Sequence, residues 1–154
     1  MATQVRTDID QLLADSLKEL AAKRPMEKIT IKEITDKAGV IRPTFYNHFQ
    51  DKFELLEWII RTELLEPILP LVRNGMVTEA MVLLFSSIER DKAFYSHVVK
   101  LEGAVTFHDV AQKCVREMLL EIINEQMSGK TPKHKWLSPE IIASYYAQSM
   151  CFAT

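Results

Sequence analysis

A chain of 154 residues and 17.7 kDa makes one ordinary domain, or a small domain with a companion. It is 47% hydrophobic and 26% charged with a net charge of −2, and it holds only 4 glycines and 6 prolines, which excludes intrinsic disorder and argues against a many-turned β barrel. Cys114 and Cys151 lie far apart without a CxxC pair, which excludes a disulfide scaffold and a cysteine zinc cluster and fits a reducing compartment.

The start, Met1 to Asp8, has no apolar signal-type core, and no apolar run reaches membrane-spanning length, so a cytoplasmic location is expected. From Thr7 to Lys23, Ile9, Leu12, Leu13, Leu17, Leu20 and Ala21 recur at three- and four-residue intervals and form one apolar stripe on a helix. Arg24-Pro25 closes it, because proline disfavours helix in the residue before it. Thr30-Ile31-Lys32-Glu33 then reads as a capping box, with Ile29 and Ile34 placed for a hydrophobic staple. That helix runs to Ala38, where Gly39 tolerates positive φ and lets the chain turn sharply.

A second short helix follows at once, from Arg42 to Phe49, with Pro43 in its first turn. Its period turns Phe45 and Phe49 inward and sets Thr44, Asn47 and His48 in one outward arc, with Tyr46 on a flank. Asp51 to Glu54 reads as another cap opening a long helix through Phe53, Leu56, Ile60 and Leu64, which Pro67 and Pro70 end or kink before the Asn74-Gly75 stop. Further helices are expected over 78–90, 91–101, 107–127 and from 138 onward, with a polar, basic loop over 128–135. No strand-like alternation persists, so the fold class is all-α.

The overall charge hides an uneven distribution. Between Arg24 and Lys52 six positive side chains face four negative ones, and the rest of the chain carries 13 positives against 17 negatives. Two short helices around a glycine turn, the second with an outward polar arc inside a mildly basic window, are the ingredients of a helix-turn-helix. In that arrangement the first helix braces the second, whose side chains enter the DNA major groove. Phosphate contacts then supply affinity, and base edges supply sequence preference.

The run from Thr30 to Val40, followed by Arg42-Pro43-Thr44-Phe45-Tyr46-Asn47-His48-Phe49 and Lys52, closely resembles the DNA-binding domain of TetR/AcrR-type transcriptional regulators, over about residues 7–65. The 51–58 run and Phe94-Tyr95 are similar to the branch that regulates dihydroxyacetone kinase genes. The resemblance implies a three-helix DNA-binding domain over 1–50 and a helical effector-binding and dimerisation body over 51–154, whose last helix stops without a cap as though incomplete. It implies that Tyr46, His48 and Lys52 touch phosphates, that Arg42 and Thr44 lie nearest base edges, and that Thr30 and Lys32 meet the backbone where a helix N-terminus favours an anion. Asn47 completes the DNA-facing set. The residues alone leave Tyr46 open to a half-buried reading. Many members carry serine where this chain has Ile41 and glycine where it has Pro43.

In the body, Trp58, Met81, Phe85, Phe94, Tyr95, Phe107 and Tyr145 are the expected lining of an effector pocket, each also readable as ordinary core. His97, Glu102 and His108 lack a metal-ligand spacing, and the Lys130-Lys133-His134-Lys135 cluster reads as a solvated loop. No HExxH, GxSxG, P-loop or GxGxxG occurs, so neither an enzyme nor a cofactor is expected. The expected function is therefore a transcriptional regulator, a repressor, binding a palindromic operator as a homodimer under a small-molecule effector. The alternative is a co-activator or interaction protein whose body binds a partner or ligand, with weak DNA binding.

Overall fold

The computed structural model describes residues 2–130, 134 and 136–152, with side chains from residue 6 onward. Among the described residues nine α-helices follow one another, α1 (Ala2–Ala21), α2 (Ile31–Ala38), α3 (Arg42–His48), α4 (Lys52–Ile59), α5 (Glu66–Arg73), α6 (Val77–Arg90), α7 (Lys92–Val98), α8 (Phe107–Met127) and α9 (Pro139–Phe152), and no strand occurs. A 3₁₀ turn, Met26–Lys28, separates α1 from α2, and a π-helical stretch, Ile60–Leu65, joins α4 to α5.

The head forms as its local signals dictate. α1 begins earlier than its apolar stripe suggested and ends where Lys23 N–H reaches back to the Leu20 carbonyl, a tightened last turn ahead of Pro25. Both halves of the Thr30–Glu33 capping box are present, and Ile29 and Ile34 on either side of the cap are buried. Gly39 closes α2 at φ 72°, where a Cβ would be strained. α3 has no side-chain cap, because its N-cap is Ile41, and Pro43 supplies a pre-set φ in the first turn instead. Asp51 caps α4, accepting from the amides of Phe53 and Glu54 at 2.9 and 2.8 Å.

The two prolines do not end the long helix. Pro67 and Pro70 offer no N–H to the carbonyls four residues earlier, and the chain absorbs this by widening to π geometry, with Glu66 N–H donating to the Arg61 carbonyl. The helix then continues to Arg73 and stops at Asn74-Gly75, where the Asn74 side chain donates to the Pro70 carbonyl at 2.8 Å. The π stretch is braced on both sides: Arg61 pairs with Glu117 of α8, and Glu63 with Lys18 of α1.

One continuous core joins head and body. Leu13, Leu17, Met26, Ile34 and Phe45 pack in the same cluster as Leu55, Leu56 and Ile59 of α4, and that cluster runs on to Phe94, Val98, Cys114 and Met118. The boundary expected at residue 50 therefore falls in the α3–α4 turn, while α4 itself fills part of the head's interior. α9 rests mainly on α8 through Ala143, Ala147 and Cys151. Its other side leaves Ile141, Tyr145, Tyr146, Met150 and Phe152 exposed. No helix among the described residues is long and apolar enough to cross a membrane. Lys133 and Lys135 of the basic loop lie outside the described residues.

Candidate nucleic-acid interface

α3 is amphipathic across its width. Phe45 is fully buried, Phe49 after the helix nearly so, and their rings lie 6.0 Å apart. On the other side Arg42, Tyr46 and Asn47 are exposed, and Thr44 is half-buried. Tyr46 stands 48% exposed with one edge on the Phe45 ring, which resolves the reading left open by the sequence: its body leans on the core and its hydroxyl accepts from Arg42 at 3.4 Å on the outer face. The Arg42 guanidinium sits 5.7 Å above the Tyr46 ring, so the two form one stacked surface unit a helical turn apart. Both carry donors, one cationic, and neither is consumed by the interior.

The bracing helix presents its start to the same surroundings. The Thr30 hydroxyl is committed to the cap, accepting from Glu33 N–H at 3.2 Å and donating to its carboxylate at 3.0 Å. The Thr30 amide donates to that carboxylate at 2.8 Å. This amide first, then the Arg24 side chain, holds the Glu33 carboxyl down at about 2. Lys32 is exposed and pairs with Asp36 at 2.7 Å, an i,i+4 contact that a stronger anion can displace.

Two residues expected on DNA are engaged inside the domain. Lys52 donates to the carbonyls of Met26, Glu27 and Ile29 at 2.9, 3.1 and 2.9 Å, which uses all three hydrogens of its ammonium. Burial pulls its pKa below the ordinary lysine value, while the charges of Glu27 and Glu33 oppose this. Its geometry is that of a clamp on the 3₁₀ turn that delivers α2. His48 approaches Asp10 of α1, Nδ1 to Oδ1 2.6 Å, with both side chains largely covered. Neither partnership was legible in the sequence, since the pairs stand 23 to 38 residues apart.

The seven expected pocket residues do not line one cavity. Trp58 packs edge-on against Phe49 in the head, 6.4 Å between rings. Phe94 and Tyr95 are buried side by side in α7, and Phe107 packs against the core. Met81, Phe85 and Tyr145 face solvent. The body's clefts overlap this set only in part, Phe94 lining one and Tyr145 another. One of about 440 Å³ opens between the π stretch and α8, lined by Arg61, Leu65, Leu69, Cys114, Glu117 and Met118 among others. Another, of about 370 Å³, lies between α1 and the α6–α7 corner beside Lys18, Asp91 and Phe94. At that corner Lys18 holds Glu63 at 2.6 Å and Asp91 at 2.9 Å, fastening α1 to the body.

A short helix stacked on a capped brace through a left-handed glycine, with arginine and tyrosine outward and two phenylalanines inward, defines a helix-turn-helix of the DNA-binding kind. Residues 13–59 match the sequence profile of bacterial regulatory proteins of the tetR family. The HTH-type dhaKLM operon transcriptional activator DhaS of Lactococcus lactis subsp. lactis (strain IL1403) is 25% identical over 146 residues, which cover 94% of this chain and 76% of that protein. A solved structure of a dihydroxyacetone kinase operon activator DhaS aligns with a TM-score of 0.55 at 23% identity, over 94% of this chain and 81% of that one. Residues 13–59 thus carry a DNA-binding domain of the tetR type, and the chain is a DNA-binding transcription regulator.

Proposed function

We propose that the chain acts as a homodimer that sets two copies of α3 into a palindromic operator, with a small molecule in the helical body adjusting its grip. The observation that carries this reading is the outward Arg42–Tyr46 unit on α3, backed by buried Phe45 and flanked by Asn47 and Thr44. Arg42 and Thr44 are the candidates for base edges, Tyr46, Asn47 and His48 for the adjoining backbone, and Thr30 and Lys32 for the phosphates at the start of α2. Lys52 contributes by clamping the turn that aims α2.

Two half-sites on one face of DNA stand about 34–36 Å apart, so the two heads need a fixed separation. The exposed apolar side of α9, with Ile141, Tyr145, Tyr146 and Met150, supports a pairing surface between copies. The cleft of about 440 Å³ beside the π stretch has the size of a small-molecule site and touches the helix that joins head to body. A ligand that favours one arrangement of that helix changes operator affinity by its differential binding.

The names of the two relatives weigh toward activation of a dihydroxyacetone kinase operon, in place of the repression expected from the sequence. The exposed Val77, Val82 and Phe85 on α6 favour the alternative, a body that docks a protein partner. DNase footprinting of the region upstream of the gene separates the readings. A footprint that disappears in both Arg42→Ala and Tyr46→Ala, with helicity intact, is expected; a footprint indifferent to both overturns the assignment of α3.

A further inference from the structure

A polar contact links helix α1 to the recognition helix: the Asp10 carboxylate lies 2.6 Å from His48 Nδ1, at the C-terminal end of α3. The side chains are 12% and 14% exposed, so this is a sheltered pair rather than a chance surface encounter. An ionised carboxylate only accepts, so the hydrogen between the two sits on Nδ1 and the ring is fixed in orientation. Nε2 has no partner among the described residues, yet the one buried side-chain polar atom left unpartnered among them is the Tyr95 hydroxyl. His48 Nε2 is therefore not sealed in the interior, and it lies next to exposed Asn47.

We propose that Asp10 is a positioning residue for DNA binding: it holds the His48 imidazole by Nδ1 so that Nε2 is the ring atom offered to a backbone phosphate. The inference rests on the reading of α3 as the DNA-facing helix. With a hydrogen on each ring nitrogen, Nδ1–H donates to Asp10 and Nε2–H donates to the phosphate oxygen. A bare carboxylate near DNA repels it, so Asp10 favours binding only through the ring it holds. The same α1 is tied to the body through Lys18, which makes it the brace linking the recognition helix to the α6–α7 corner.

The test uses the full chain, a 30-bp duplex from upstream of its gene and a scrambled duplex of equal length, with affinities read by fluorescence anisotropy. Asp10→Ala weakens binding to either duplex by about five- to tenfold, the worth of one hydrogen bond, and Asp10→Asn, which keeps an acceptor, recovers part of it. The double variant Asp10→Ala with His48→Ala binds no more weakly than His48→Ala alone. Nitrogen-15 NMR of the imidazole in free protein shows hydrogen on Nδ1 in the wild type and loss of that preference in Asp10→Ala. The inference is overturned if Asp10→Ala binds as tightly as wild type or tighter, if the two losses add, or if the wild-type ring carries its single hydrogen on Nε2. A wild type that binds neither duplex sinks the DNA reading and this inference together, whereas intact DNA binding with an indifferent Asp10 sinks this inference alone. The NMR arm decides even where an alanine variant folds poorly.

Discussion

Replacing Lys52 by methionine keeps the aliphatic stem and deletes three hydrogen bonds at once, those to the carbonyls of Met26, Glu27 and Ile29. A bond from a charged donor contributes about 1.5–3 kcal/mol, but these three share one ammonium whose burial already costs stability, so they do not add. The Met26 carbonyl also keeps the Ile29 amide as a donor, which leaves two acceptors without a partner. The net loss is about 2–3 kcal/mol, and for a chain of this size that lowers Tm by about 5–10 °C. Circular dichroism melts of wild type and Lys52→Met at equal concentration measure it. DNA affinity falls in parallel, because the freed turn no longer fixes the Thr30 cap of α2. A melting temperature within 1 °C of wild type would refute the view that Lys52 serves as an internal clamp.

Three further outcomes follow from the same geometry. Ile41→Ser supplies the missing cap of α3 at a position already in extended N-cap geometry and 69% exposed, and raises stability by about 1 kcal/mol in a urea titration. Because Glu33 is held down to about 2 against an ordinary 4.5, its ionised form stabilises the fold fully above pH 4.5 and loses that effect as the pH falls towards 2. The protection of the Thr30 amide, its exchange rate relative to the unfolded chain at the same pH, therefore falls over that acid range in wild type, and is already low in Glu33→Ala at pH 6. Burial pushes the Cys114 thiol up to about 11, so iodoacetamide at pH 8 leaves it unmodified in the folded chain and labels it in urea, as intact-mass measurement will show.

What the sequence disclosed was local chemistry. Thr30 with Glu33, Gly39, Asp51 and Asn74-Gly75 all announced helix ends, because caps and stops are made by residues within a few positions of each other. The inward Phe45 and Phe49 and the outward Asn47 followed from the helical period, whereas Thr44 and His48, set in the same arc, are half-buried. Partners distant in the chain left no such trace. Asp10 was one more acidic residue on an amphipathic helix, and Lys52 one more cation after a cap, until folding brought His48 and three carbonyls to them. Pro67 and Pro70 read as an end or a kink because single-residue rules treat a proline against an ideal α-helix, whereas the chain had a wider turn available. Size and softness likewise say little about where an aromatic residue sits, since both suit a core, a surface patch or a cavity equally.

The central claim is that the outward face of α3 is what meets DNA. Its most direct test is the affinity of the full chain for the upstream duplex across a salt series, for wild type and for Arg42→Ala. Wild-type binding is expected to weaken steeply with salt. The variant is expected to bind more weakly at every salt concentration, through loss of a base-edge contact, with the wild-type slope largely kept. Equal affinities for the two proteins would contradict the claim.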